Sequence, residues 1–219
     1  MPNKSFLAKV TYRLKYWASE LLTLTAVTVC VLCALLYRRI TLSNVSIPIR
    51  IEVSNVHSLF SGGRFLHGDR SARFKIIEFL DYECPPCRAL GNELRGVADT
   101  ENLDISLYVQ NFPISIHRNA ATLADISTML SESDFSNYHY RALSIPEDEM
   151  PTFIHAWQSR LNKTNPHWQS LARTKIASSR HVASLLKVSS TPSLFLVDSK
   201  DGKVFRCATY GDLINATRL

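Results

Sequence analysis

The stretch Phe74-Lys75-Ile76-Ile77-Glu78-Phe79-Leu80 is broken only by Lys75 and Glu78, and Cys84-Pro85-Pro86-Cys87 follows it closely. A run this short and this apolar suits a strand buried on both faces of a sheet. Two successive prolines suit the first turn of a helix, where the backbone N–H has no intrahelical partner. Leu90, Leu94, Val97 and Ala98 then recur with helical period. The chain therefore passes from a central strand into a helix, with one thiol at the junction and a second a turn further on. The positive end of the helix dipole favours thiolate there, and the second sulfur is near enough to close a disulfide. Thiol–disulfide exchange is the chemistry this arrangement suits.

Zinc uses the same C-x-x-C spacing. A structural zinc site needs four ligands, usually from a second such pair or a Cys/His pair. The other cysteines are Cys30 and Cys33, inside an apolar segment far upstream, and Cys207. His117 and His181 have no partner at ligand spacing, so no metal is expected. Burial of both cysteines as small core residues is the plainer alternative.

The flanks favour the redox reading through a resemblance. Residues 74–88 resemble the active-site strand and helix of the thioredoxin superfamily, its DsbA-like branch in particular. Glu78 lies six residues before Cys84, where that superfamily keeps a buried acid beneath the second cysteine. Thr191-Pro192, followed by Ser193-Leu194-Phe195-Leu196-Val197-Asp198, resembles the cis-proline loop and the strand after it. Tyr108-Val109-Gln110-Asn111-Phe112-Pro113, with His117 and Ala120, resembles the point where DsbA-like proteins enter a helical insertion. The resemblance covers residues 68–219. It implies an α/β thioredoxin-like fold with a helical insertion over 117–187, and no cofactor beyond a Cys84–Cys87 disulfide. It also implies roles. Cys84 is the nucleophile and Cys87 the resolving thiol. Glu78, if buried, relays the Cys87 proton, because desolvation raises a carboxyl into a useful range. A cis Thr191–Pro192 presents its backbone to an extended substrate chain. Pro85 and Pro86 tune the couple by offering neither N–H nor imidazole, and Glu83, if near, disfavours the thiolate. The couple is therefore expected to be less oxidising than in relatives with histidine between the cysteines.

Residues 21–37 form an uncharged apolar run at the short end of what spans a bilayer. Tyr16, Trp17 and Tyr37 flank it as interfacial aromatics, with Lys4, Lys9, Arg13 and Lys15 before it and Arg38 and Arg39 after. Its apolar core is long for a cleaved signal peptide, and no small-residue cleavage site follows. The expectation is an uncleaved signal-anchor helix: residues 1–20 cytoplasmic, 21–37 in the membrane, 38–67 a linker with a possible edge strand over 47–53, and 68–219 outside. Of 25 Lys+Arg and 19 Asp+Glu, residues 1–39 hold six and one. The rest of the chain is nearly neutral, which excludes the basic stripe of a nucleic-acid binder.

Pro146, Pro151 and Pro166 punctuate residues 117–187 into helices over about 117–131, 134–144, 147–162 and 166–187. Ser199-Lys200-Asp201-Gly202 marks a hairpin between the last two strands, with Cys207 a small buried residue on the second. Together these readings predict a thiol–disulfide oxidoreductase of a bacterial inner membrane, facing the periplasm. Its partners would be cysteine-containing exported proteins and a membrane redox protein. The alternatives are a redox-inert peptide-binding module of the same fold and a dedicated electron carrier for one membrane enzyme.

Overall fold

A seven-residue strand, β3 (Phe74–Leu80), runs through the middle of a six-stranded sheet, and six of its seven side chains are buried. The computed structural model describes residue 17 and residues 25–33, 48–98, 104–165 and 167–217. The chain divides into two units, residues 1–45 and 46–219. In the first, residues 25–33 are helical and exposed throughout. Among the described residues no helix is long and apolar enough to cross a membrane. Of the anchor expected over 21–37, residues 21–24 and 34–37 lie outside the described residues.

In the second unit the other strands are β1 (Ile49–Ile51), β2 (Arg64–Gly68), β4 (Ile105–Asn111), β5 (Ser193–Asp198) and β6 (Lys203–Cys207). Their order across the sheet is β1-β6-β5-β3-β4-β2, with β3 and β4 parallel and every other pair antiparallel. The parallel pair is joined through helix α1 (Pro85–Ala98), the crossover that parallel strands require. Between β4 and β5 lie α2 (Ala120–Met129), α3 (Glu132–Ser144), α4 (Met150–Thr164) and α5 (Trp168–Leu185). These are the four helices expected of the insertion, with ends shifted by a few residues. A short α6 (Tyr210–Ala216) closes the chain, started by a capping box between Thr209 and Asp212.

Two cores form, one on each face. Ile76, Leu80, Leu107, Val109, Leu194 and Leu196 pack with α1, α3 and α4, and both cysteines of the C-P-P-C segment belong to this cluster. Ile77, Phe79, Phe195 and Val197 point the other way, under Val182, Ala183 and Leu186. The alternation follows from the period-two pleat. It places Glu78 on the same face as Ile76 and Leu80, the face that carries the cysteines.

The expected boundary between a linker with a possible edge strand (38–67) and a domain (68–219) falls inside the second unit, where β1 is an edge strand. The compact unit begins at Ser46, and both β1 and β2 are strands of its sheet. Residues 64–68, which straddle that expected boundary, pair with β4 as an edge strand. Gly62, at φ +74, lets its loop press on α5: a Cβ there would stand 2.6 Å from the Lys175 carbonyl oxygen and 2.7 Å from the Ser179 nitrogen.

Candidate active site

Residues 81–84 link the end of β3 to the start of α1. The Cys84 N–H donates to the Asp81 carbonyl at 3.1 Å, and the Cys84 carbonyl accepts the Arg88 N–H at 3.1 Å. Cys84 thus stands at the head of α1. Pro85 and Pro86 occupy the first turn with their rings exposed, where a missing N–H costs the helix nothing. Both cysteines stand as free thiols, Cys84 nearly buried and Cys87 wholly so.

Register explains what meets Cys84. Glu78 pairs with Leu194 and Phe79 with Ser193, so the segment preceding β5 lies beyond the end of β3. The Thr191–Pro192 peptide bond there is cis. The Cys84 thiol donates to the Thr191 carbonyl oxygen at 3.4 Å. Residues 107 positions apart in the chain are brought together by two adjacent strands.

Beneath the cysteines lies Glu78. Its side chain is fully buried, and neither carboxylate oxygen has a hydrogen-bond partner. Desolvation raises it from an ordinary 4.5 to about 8. Burial also pushes the Cys87 thiol far above its ordinary range, and the Glu78 charge pushes in the same direction. Each group is a proton holder in a dry place, and each suppresses ionisation of the other.

Glu83 was expected to bear on the thiolate through its charge. Its carboxylate instead turns to the start of α2, accepting the Asn119 backbone N–H at 2.5 Å and the Asn119 side-chain amide at 2.8 Å. A carboxylate at a helix N-terminus is favourably placed, and its charge is engaged there.

Sequence reasoning missed the residue that organises this corner. Asp81 is buried, and its Oδ1 accepts the Glu83 N–H at 2.8 Å. Its Oδ2 accepts the Ile114 N–H at 2.7 Å and pairs with His117 Nδ1 at 2.8 Å. Asp81 and Glu83 together fasten the active-site loop to residues 114–119. Tyr82, between them, points inward to His139, with Oη 3.3 Å from Nδ1. Burial depresses that imidazole to about 3, so it stays neutral beside the phenol.

A groove of about 760 Å³ opens beside the site, lined by Glu83, Pro85, Arg88, Ile116, His117, Arg118, Asn119, Glu147, Met150 and Pro151. Ile116 is 83 % exposed on its wall. Cys207 lies on β6 within the core, and burial raises its thiol to about 12. Among the described residues no group of three His, Cys, Asp or Glu side chains gathers as a metal site.

No family model matches the chain, and no curated protein matches it. Solved structures do. The thiol-disulfide exchange protein alpha-DsbA2 from Wolbachia pipientis superposes with TM-score 0.55 at 20 % identity, over 69 % of this chain and 83 % of that one. A periplasmic thioredoxin-like protein from Salmonella enterica serovar Typhimurium gives 0.57 at 17 % identity, over 76 % and 95 %. DsbA2 from Pseudomonas aeruginosa gives 0.56 at 21 % identity, over 70 % and 93 %. The likeness is one of fold: a thioredoxin-like sheet carrying a helical insertion, as in the DsbA-like proteins.

Proposed function

We propose that this protein is a thiol–disulfide oxidoreductase working through Cys84 and Cys87. The observation that carries the reading is the placement of the pair. One thiol heads a helix against the Thr191 carbonyl, and the other is sealed above a buried, unpartnered carboxyl. Cys84 as thiolate attacks a substrate disulfide, and Cys87 then attacks Cys84 to release the product. In the opposite direction a substrate thiolate attacks the Cys84–Cys87 disulfide. Cys87 must lose its proton to act, and Glu78, raised to about 8, is the group beneath it suited to take that proton near neutral pH. The backbone of Thr191–Pro192 is where an extended substrate chain would align. Pro85, Pro86 and the engaged charge of Glu83 leave the couple without an added cation, which favours a less oxidising poise.

Residues 21–37 serve in this reading as a signal anchor. The exposed helix over residues 25–33, with Val27, Val29, Val31 and Leu32 all more than half exposed, supports it. The catalytic unit then lies on the periplasmic side of a bacterial inner membrane, where disulfides persist. Its substrates are cysteine-containing exported proteins, and a membrane redox protein resets the pair. Trapping tests the assignment. Cys84→Ser should abolish exchange, and Cys87→Ser should accumulate mixed disulfides through Cys84. Full activity of both single variants on a model disulfide would refute it and favour the redox-inert binding module.

A further inference from the structure

Asp81 holds the backbone of Cys84 and the ring of His117 at once. Its carbonyl takes the Cys84 N–H at 3.1 Å, and its Oδ2 stands 2.8 Å from His117 Nδ1. The carboxylate also accepts two backbone N–H groups, from Glu83 and Ile114. Asp81 is therefore an acceptor throughout, so the proton between it and the imidazole rests on Nδ1. The Asp81 side chain is 0 % exposed, whereas that of His117 is 20 % exposed. His117 lines the groove together with Glu83 and Pro85, the two residues that flank Cys84. A carboxylate thus fixes one ring nitrogen, and the ring that carries Nε2 lines a groove whose wall includes both neighbours of Cys84. That is how a proton donor and acceptor is oriented.

We propose that His117 is the acid–base residue for the substrate sulfur, a role that rests on the redox reading above. When the Cys84 thiolate attacks a substrate disulfide RS–SR′, a Cys84–SR bond forms, the S–S bond breaks and R′S⁻ leaves. Protonated His117 gives its Nε2 proton to R′S⁻, producing R′SH and neutral imidazole. In the reverse direction neutral Nε2 takes the proton from R′SH as that sulfur attacks the mixed disulfide. No further oxidant or reductant is needed. This division of labour leaves Glu78 to the buried Cys87 and gives His117 the sulfur on the solvent side. Asp81 holds Nδ1, and the charged residues that line the groove with His117 are Glu83, Arg88, Arg118 and Glu147. Arg180 of α5 donates to the Pro113 carbonyl at the base of the same loop.

Two uncharged disulfides isolate the role. The leaving thiol of 4,4′-dithiodipyridine is acidic and departs without a proton, whereas that of bis(2-hydroxyethyl) disulfide is an ordinary alkyl thiol. Rate constants for attack by the reduced full chain in detergent are measured on both between pH 6.5 and 9, where the pyridine rings are neutral. His117→Asn keeps a donor where Nδ1 stands, preserving the bond to Asp81, and removes Nε2. It should raise the aromatic-to-alkyl rate ratio about tenfold, less than the ~100-fold usual for positioned acids because a thiolate can leave unprotonated. The pH dependence of that ratio should flatten as well. His117→Gln, which places a non-titrating amide near Nε2, should flatten it too and serves if the Asn variant does not fold. An unchanged ratio in a folded variant overturns the role of His117 alone. Wild type inert towards both disulfides sinks the redox reading, and this role with it.

Discussion

Glu78→Gln separates what the buried carboxyl costs from what it does. In the native protein Glu78 keeps its proton up to about pH 8, while in the unfolded chain it loses the proton near 4.5. Its folded value is raised, so the native state holds the extra proton and stability falls as pH climbs between those values. The slope is about 1.4 kcal/mol per pH unit, and at pH 7 the accumulated cost is about 3 kcal/mol. Gln has no such term, but it buries an amide without a partner, at about 1–3 kcal/mol. The variant should therefore be no more stable than wild type at pH 5 and roughly 1–3 kcal/mol more stable by pH 8. Urea unfolding of the reduced protein at pH 5, 6, 7 and 8, followed by tryptophan fluorescence, reads the difference. Cys87, pushed far up by burial, does not titrate in that window. The same variant should slow release of a mixed disulfide by Cys87 and lose the rise of that step towards pH 8. Parallel stability curves for wild type and variant would refute the burial argument, and an unchanged resolution profile would refute the relay.

Pro86→His should make the Cys84–Cys87 couple more oxidising, since that position is exposed and an imidazole brings positive charge to the helix start; equilibration with glutathione buffers reads the sign, and an equal or more reducing variant defeats the dipeptide argument. Gly62→Ala should destabilise the fold by about 1–3 kcal/mol in a thermal melt, because the new Cβ meets backbone atoms of α5 at 2.6 and 2.7 Å; a melt unchanged from wild type would show that the loop can lift away. Removing residues 1–39 should release a folded, active protein, because the compact unit begins only at Ser46; loss of the cooperative unfolding transition would mean that the N-terminal part supports the fold.

Local chemistry made the centre of the site legible. The strand 74–80, the cysteine pair and the paired prolines carry their meaning within fifteen residues, and Pro146 and Pro151 mark helix boundaries by removing donors. Residues 64–68 gave no such sign. Phe65 and Leu66 sit side by side rather than alternating, and a bulge between Phe65 and His67 shifts the register with β4. Only the neighbouring strand makes that segment a strand. The clasp was hidden for a related reason. Asp81 and Glu83 reach partners more than thirty residues downstream, and no short-range pattern foretells which loop will pass near a carboxylate. The direction of Glu83 was likewise invisible, because adjacency to Cys84 in sequence says nothing about where the side chain turns.

The two carboxylates that fasten residues 114–119 also set the terms on which the helical insertion can be exchanged. A chimera that replaced everything between β4 and β5 would discard Ile114, His117 and Asn119, leaving Asp81 buried without the partners that satisfy its Oδ2 and Glu83 without a helix start to cap. A junction placed after Asn119 would keep every one of those bonds and still free α2 through α5 for substitution. The modular boundary of this protein therefore lies a few residues inside its insertion, and the first stretch of the helical cap belongs, in engineering terms, to the catalytic half.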